Sequence, residues 1–195
     1  MGINLEDSAS GCGADPSQPL FEIADQTRRI AAIRSMTKAE GIPLVINARV
    51  DAYLTYLVSD QAVGDRFSET VNRAAAYLDA GADGIFVPDV GALDAETIGR
   101  LVRAIRGPLN VIAGATTPPL PELERLGVAR VSFGPRPMRA CLSLLRRMAR
   151  EWKEKGTYAT MSDSVVTYDE VNRWFSSCRK AGSKDSTTCP SQRKT

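Results

Sequence analysis

Short apolar segments alternate with helical segments along most of this chain, and this alternation constrains the fold more than any other feature. Each apolar segment is too short for a helix and lacks regular polar alternation, as expected for a parallel strand that is covered on both faces. The five segments are residues 2–7, 44–48, 85–87, 109–113 and 128–133. Each is followed by polar or glycine residues and then by a helical segment, which predicts an α/β fold with a parallel sheet.

Helical periodicity and glycine stops support the same repeat. Residues 24–39 and 67–80 place apolar side chains three and four positions apart, and Asp94 is a suitable N-cap for a third helix. A short helix over 121–126 and a long amphipathic helix after Gly134 complete the pattern. Glycine readily adopts the left-handed conformation that follows a helix, so we expect it to end five helices. These glycines are Gly41, Gly81, Gly107, Gly127 and Gly156.

Two folds contain such repeats, the open doubly wound sheet and the (β/α)8 barrel. A nucleotide-binding doubly wound sheet carries a glycine-rich fingerprint after its first strand, and Gly11-Cys12-Gly13 lacks both the third glycine and the helix start. The sequence therefore predicts a TIM-type barrel. A full barrel needs eight strands and typically about 250 residues, so we expect an incomplete barrel of about five C-terminal βα units, with three strands missing at its front. Either another chain covers its outer strands, or the sequence is a fragment.

The composition narrows the classes of function. With 195 residues, 43% of them hydrophobic, the chain is expected to form one domain with a sizeable core. The net charge of +2 is spread over the helices, which argues against nucleic acid as a partner. No apolar run approaches the roughly 20 residues of a membrane span. The first residues form a strand ending in acids rather than a signal sequence, so the expected location is cytoplasmic.

The chain contains no histidine. This excludes Ser-His-Asp triads and histidine-zinc sites, and leaves carboxylates, Arg, Tyr, Ser and Cys for any reaction. The four cysteines, Cys12, Cys141, Cys178 and Cys189, match no zinc or redox spacing. We expect reduced, mostly structural thiols, with Cys141 on the apolar stripe of a helix.

The end of the chain has a different composition. We predict one barrel domain with C-terminal helices over residues 1–175 and a disordered tail over 176–195, because the tail is rich in Ser, Lys and Thr and has almost nothing apolar to bury. Residues 168–175 form a helical pattern with several aromatics. Those aromatics need a surface to pack on, which predicts docking onto a neighbour.

Candidate functional residues follow the strands, because a parallel barrel carries its chemistry at the carboxyl ends of its strands. They are Glu6, Asp7, Arg49, Asp51, Asp89, Thr116 and Thr117. Glu6 beside Asp89 from another strand would suit Mg²⁺, which takes oxygen ligands and keeps several waters. Salt bridges or capping of the next helix would explain these two carboxylates equally well.

Arg49 directly follows an apolar strand. A guanidinium in that position suits two-pronged binding of a carboxylate or phosphate on a small substrate, which we favour over an ion pair with Asp51 or Glu6. Cys12 lies in a glycine-rich loop and could serve as a catalytic acid. Since no basic neighbour is present to lower its pKa, an ordinary loop thiol is the favoured interpretation.

Four motifs, taken together and in order, resemble the phosphoenolpyruvate mutase/isocitrate lyase superfamily, and its short bacterial-type members most closely. They are GINLED at residues 2–7, INARVDA at 46–52, AGADGIFVP at 80–88 and GVARVSFGP at 127–135. The resemblance runs from Gly2 to about Phe175.

The resemblance implies an Mg²⁺-dependent barrel that cleaves or forms a C–C or P–C bond next to a carboxylate through an enolate-like intermediate. It identifies Glu6 as the metal-binding glutamate and Arg49 as the catalytic arginine that also grips the substrate. Asn4 and Asp89 stand where lyases often carry His and Glu, and are assigned to substrate binding. The resemblance further implies a homo-oligomer formed by helix swapping, which would give the helix at 168–175 a partner surface.

The expected function is therefore that of a lyase or phosphonomutase acting on a small oxo- or hydroxy-carboxylate. The family's paired metal-binding aspartates belong to earlier strands, and Gly11-Cys12-Gly13 lacks the Lys and His of the lyase gating loop. One alternative is consequently a noncatalytic truncated homologue or subunit fragment that requires a complete barrel partner. Another is an unrelated phosphate-binding barrel that uses Gly114 and Gly134 after its last two strands.

Overall fold

The computed structural model describes residues 1–9, 20–54, 65–89, 91, 93–163 and 165–176. Strands and helices alternate in the first part of the chain, and helices alone follow. The strands are β1 (Gly2–Glu6), β2 (Val45–Arg49), β3 (Gly84–Val87), β4 (Leu109–Ile112) and β5 (Arg130–Ser132). The helices are α1 (Ile23–Ala39), α2 (Arg66–Asp79), α3 (Ala95–Ala104), α4 (Leu120–Leu126), α5 (Arg136–Lys155) and α6 (Tyr168–Ser176), with a 3-10 turn at Ala159–Ser162. The predictions for Cys12, Cys178, Cys189 and the tail from 177 onward lie outside these residues.

The five strands form one parallel sheet in the order β1-β2-β3-β4-β5, curled into a half-barrel. In the register, Asn4 pairs with Asn47 and Glu6 pairs with Arg49. A sheet in which sequential strands are neighbours, each joined by a helix, is the arrangement of a (β/α) barrel, whereas a doubly wound sheet reverses its strand order. The predicted incomplete TIM-type barrel is confirmed.

The two faces of the sheet differ in composition. The convex face packs against the helices and is apolar, and its residues Ile46, Ala48, Ile85 and Val87 are completely buried. Since side chains alternate between the faces of a strand, the residues between them point to the concave side. That side carries hydrogen-bonded polar side chains as well as apolar ones such as Phe86: the Asn47 side-chain amide donates to Asn4 Oδ1 at 2.7 Å, and Asn110 hydrogen-bonds Ser132 at 3.1 Å.

Most predicted helix ends are confirmed by their caps. Asp94 accepts a hydrogen bond from the Thr97 amide at the start of α3, and Gly41, Gly81, Gly127 and Gly156 follow helices with positive φ. The prediction for Gly107 was wrong, because α3 already ends at Ala104 and an extended Ile105 follows it. Strand β5 is also shorter than the apolar run at 128–133, since pairing to β4 reaches only Ser132.

The chain divides into two compact units, residues 1–136 and 137–195. The described part of the second unit contains most of α5, the 3-10 turn and α6, and none of these helices has a buried residue. Cys141 is a free thiol and is exposed on α5. Among the described helices, none is both long and apolar enough to cross a membrane.

Candidate active site at the carboxyl edge of the sheet

Arg49, the last residue of β2, is the centre of the charged cluster at the carboxyl edge of the sheet. Its Nη1 lies 2.7 Å from Glu6 Oε2 on β1, and its Nε donates to Asp51 Oδ1 at 2.5 Å. The guanidinium also lies over the ring of Phe86 on β3, 5.9 Å from the ring centroid. Three neighbouring strand ends therefore determine the position of one cation.

Asp51 is completely buried, whereas the side chain of Glu6 is about half exposed, at 49%. Burial raises the pKa of Asp51, and its bonds to Arg49 and Ser8 oppose that rise. Arg49 thus has one inaccessible partner and one that solvent reaches. A small anion can compete for the guanidinium from the side of Glu6, while Asp51 continues to hold Nε.

Asp7 follows Glu6 and points to the opposite face, where helix α2 packs. It is completely buried, and its Oδ2 accepts from the Tyr77 hydroxyl at 2.8 Å and from Arg73 Nη1 at 3.3 Å. Its Oδ1 accepts from the backbone N–H of Asp51 at 2.9 Å. Burial raises the pKa of Asp7 to about 6, although these three bonds act in the opposite direction.

The other candidates occupy separate places. Asp89, after β3, is nearly buried, and its Oδ2 accepts from the amides of Gly91 and Leu93, so it organises its own loop. Asn4 lies on the concave face and is bonded to Asn47. Thr117 accepts from the Gly114 amide and donates to the Ile112 carbonyl.

Thr116 lies beside the loop after β3. Its hydroxyl is about 3.4 Å from the position that a Cβ atom would have on Gly91. The structure therefore unites Glu6, Asp7, Arg49 and Asp51 and leaves Asp89 and the threonines in loop contacts. The ion pairs of Arg49 with Glu6 and Asp51, which are the alternative to substrate binding, are present.

The fit of this edge to Mg²⁺ depends on its oxygen ligands. Within the described ranges, no group of three or more Cys, Asp or Glu residues is arranged to hold a metal ion. Mg²⁺ is usually bound by only one or two protein carboxylates, together with water and substrate oxygens. The half-exposed carboxylate of Glu6 fits as one such ligand.

Two residues of the cluster were missed from the sequence, Arg73 and Tyr77. They lie four positions apart on α2, on the face that packs against the sheet. Arg73 also donates to Glu69 at 2.6 Å and to the Phe21 carbonyl at 2.8 Å. An arginine and a tyrosine four positions apart on the buried face of a helix are a recognisable signal, because buried polar groups need partners.

Comparison with known proteins places this chain in a family. The family model of phosphoenolpyruvate phosphomutase matches residues 1–153. An uncharacterized protein of Mycobacterium tuberculosis is 36% identical over 176 residues, which cover 86% of this chain and 60% of that protein.

Solved structures agree with that match. A candidate lyase or mutase of Burkholderia cenocepacia superposes with a TM-score of 0.72 at 32% identity, covering 90% of this chain and 59% of that one. Phosphonopyruvate hydrolase in complex with oxalate and Mg²⁺ shares the fold, with a TM-score of 0.61 at 23% identity over 92% of this chain and 60% of that one. The chain thus spans about three fifths of the length of these relatives. It belongs to the phosphoenolpyruvate phosphomutase family, within the phosphoenolpyruvate mutase/isocitrate lyase superfamily.

Proposed function

We propose that this chain forms the Arg49 half of the active site of an Mg²⁺-dependent lyase or phosphonomutase that acts on a small oxo- or hydroxy-carboxylate. The observation that carries the proposal is the placement of Arg49 between buried Asp51 and solvent-accessible Glu6. Lyases and mutases are the activities named for similar proteins, including 2-methylisocitrate lyase of Aeropyrum pernix, 28% identical over 86% of this chain and 52% of that protein.

Arg49 would bind and orient the substrate carboxylate. A guanidinium presents a planar fork of donors that matches a carboxylate, and it remains charged at any physiological pH. Because Asp51 holds Nε, the Nη atoms keep a defined direction toward the concave side. When negative charge develops on a substrate oxygen during bond cleavage or formation, a cation already in place stabilises it without reorganisation.

Glu6 would contribute one carboxylate to the magnesium site. Bound Mg²⁺ would supply electrostatic stabilisation of substrate oxygens and a template that orients the substrate. A carboxylate has two oxygens, so Glu6 can accept from Arg49 with one and bind a cation with the other. Asn4, from the concave face, and Asp89, from the loop after β3, are proposed as further substrate-binding residues outside the Arg49 cluster.

Isothermal titration of the purified chain with oxalate, in the presence and absence of Mg²⁺, tests this proposal. Oxalate carries two adjacent carboxylates and resembles the enolate of pyruvate, and it is the ligand bound with Mg²⁺ in phosphonopyruvate hydrolase. We expect oxalate to bind measurably only when Mg²⁺ is present, while circular dichroism confirms a folded chain. A folded chain that binds no oxalate, with or without Mg²⁺, would contradict the proposal and favour a noncatalytic homologue.

Two variants make the titration specific to the cluster. Glu6→Gln keeps the size of the side chain but removes its negative charge. It should abolish the oxalate binding that Mg²⁺ supports. Glu124→Gln makes the same change at an exposed position of α4 and should leave binding unaltered. If both variants lost oxalate binding equally, the loss would be due to the change in net charge and not to a site at Glu6.

We further propose that the chain forms a homo-oligomer in which α5 is covered by a second copy, as helix swapping would achieve. Helix α5 has 20 residues and none is buried. Its apolar residues Met138, Leu142, Leu145 and Trp152 are between 44% and 57% exposed. An apolar stripe of that size is a typical interaction surface.

The cytoplasmic location expected from the sequence stays a prediction.

Light scattering after gel filtration tests the oligomer. The chain should elute as a dimer or larger species, and the double change Leu142→Asp with Leu145→Asp should produce a monomer. Ser143→Asp adds one negative charge between these positions, against two in the double change, removes no apolar side chain and should preserve the oligomer. A monomeric unmodified chain would contradict this part of the proposal.

A further inference from the structure

The concave and convex sides of the sheet are connected at its carboxyl edge by a continuous series of hydrogen bonds. It begins on α2 with the Tyr77 hydroxyl, which donates to Asp7 Oδ2 at 2.8 Å. Asp7 Oδ1 then accepts from the Asp51 amide at 2.9 Å, and Asp51 Oδ1 accepts from Arg49 Nε at 2.5 Å. Tyr77, Asp7 and Asp51 are each 0% exposed.

Every member of this series has more than one anchor. The Tyr77 hydroxyl accepts from Arg73 Nη1 at 3.0 Å while it donates to Asp7, and Arg73 also reaches the Phe21 carbonyl at 2.8 Å. The amide of Asp7 donates to the Arg49 carbonyl at 3.1 Å. Asp51 Oδ2 has no hydrogen-bond partner among the described residues, whereas the other contacts of the series are made. A water-excluded network of this kind has few alternative arrangements, because breaking one of these bonds would leave a further buried polar group without a partner.

We propose that Asp7 and Tyr77 are positioning residues for Arg49, and that helix α2 thereby sets the direction in which the guanidinium meets an anionic substrate. Asp7 holds the backbone of residue 51, and that backbone determines where the Asp51 carboxylate can receive Nε. Neither positioning residue has any exposed surface. The inference rests on the proposed function for the identity of the anion, but its geometric part concerns Arg49 alone.

A purely structural role for Asp7 would predict something different. In that case the network would only fasten α2 to the sheet, and weakening it would lower the free energy of unfolding without altering Arg49. The two roles separate if Arg49 is observed directly. The Nε–H of an arginine side chain gives its own nitrogen–hydrogen NMR signal, and its exchange with water reports whether the hydrogen is bonded.

The variant that tests the positioning role is Tyr77→Phe, which removes the hydroxyl and keeps the buried ring. The matched control is Thr70→Val on the same helix, since Thr70 is fully buried and its hydroxyl has no partner within the described residues. The Arg49 signal is assigned by its disappearance in Arg49→Lys. Asp7→Asn serves as a second variant, which keeps the shape of the side chain but weakens it as an acceptor.

In Tyr77→Phe and in Asp7→Asn we expect a shifted Arg49 Nε–H signal whose exchange with water is at least about fivefold faster, consistent with a loosened hydrogen bond. Thr70→Val should match the unmodified chain. In the Mg²⁺ and oxalate titration, the dissociation constant should rise about threefold or more in the two network variants only.

The outcomes separate this inference from the proposed function. An unchanged Arg49 signal in both network variants would overturn the positioning role, even if stability falls. A changed signal in a chain that does not bind oxalate would support the positioning role and contradict the proposed function. A changed signal with unchanged oxalate affinity would overturn the claim that α2 sets how Arg49 meets the anion.

Discussion

Two arginines, one at each edge of the sheet, illustrate how differently the two ends of the half-barrel are built. At the amino edge, Arg34 of α1 donates to the Leu44 carbonyl at 2.8 Å and to the Gly81 carbonyl at 2.9 Å, and it pairs with Asp83. At the carboxyl edge, Arg49 contacts the carboxylates of Glu6 and Asp51.

The difference lies in the nature of the acceptors. Backbone carbonyls next to β2 and β3 cannot leave Arg34 without unfolding the sheet, and Asp83 is itself fixed by the Ile46 amide at 2.7 Å. Under the proposed function, the half-exposed Glu6 carboxylate would share Arg49 with a substrate anion. This contrast agrees with the division found in TIM barrels, where the amino face serves stability and the carboxyl face serves catalysis.

The largest expected effect concerns pH and the carboxyl edge. Because burial raises the pKa of Asp7 from 3.8 to about 6, folding favours its protonated form. Its stabilising contribution is complete below the unfolded value and is lost as the pH rises through about 6. Two pKa units correspond to about 3 kcal/mol. We therefore expect the unfolding free energy of the unmodified chain, relative to Asp7→Asn, to fall by about 3 kcal/mol between about pH 3 and pH 7.5.

Urea unfolding of both proteins across that range measures the difference, and subtraction removes the titration of groups that do not interact with Asp7. A difference that does not vary with pH would mean that the carboxyl edge ionises without cost. It would also mean that pH-dependent stability does not distinguish the carboxyl edge from the amino edge.

The next prediction addresses the amino edge. Arg34→Ala removes the donors to Leu44 and Gly81 and leaves Asp83 without its cation. Since Arg34 and Asp83 are partly exposed, we expect a loss of about 2 kcal/mol in unfolding free energy rather than the larger cost of a buried pair. Oxalate affinity, measured where the variant is fully folded, should not change. A reduced affinity would show that the two edges are not independent.

Arg49→Lys is the reciprocal change at the carboxyl edge. Lysine keeps the positive charge beside buried Asp51 but lacks the Nε donor and the planar fork, so we expect the unfolding free energy to fall by about 1 kcal/mol. Oxalate affinity in the presence of Mg²⁺ should fall at least about tenfold, equivalent to about 1.4 kcal/mol. Calorimetric titration and urea unfolding measure both quantities. Unchanged oxalate binding would refute the role of Arg49 in recognition.

The smallest expected effect lies between the two edges, on the concave face. Ser132→Ala removes the hydroxyl that bonds the nearly buried Asn110 at 3.1 Å. Loss of one partly buried neutral hydrogen bond should cost about 1 kcal/mol, and oxalate binding should be unaffected. Urea unfolding again provides the measurement. A cost as large as that of Arg34→Ala would mean that the concave face stabilises the sheet as much as its amino edge does.

Local sequence signals predicted most of the fold. Apolar runs of strand length, an aspartate N-cap at Asp94 and glycines with positive φ at Gly81 and Gly127 depend on residues close in the chain, and all are confirmed. Gly107 failed because the helix before it ended earlier than the glycine, at Ala104. The positions of the candidate site residues were predicted in part. Because a barrel carries its chemistry at the carboxyl ends of its strands, Glu6 and Arg49 were expected at one edge of the sheet. That rule does not specify which side chains contact each other there.

The sequence by itself determined the parallel half-barrel, the family and the carboxyl edge as the place of Arg49, because these follow from periodicity, capping and ordered motifs. Only the tertiary structure decided that Asp51 and Glu6 share Arg49 and that Asp7 turns away toward Tyr77 and Arg73. These contacts join residues up to 70 positions apart in the chain. Their geometry depends on how α2 packs on the sheet, and no local preference specifies that packing.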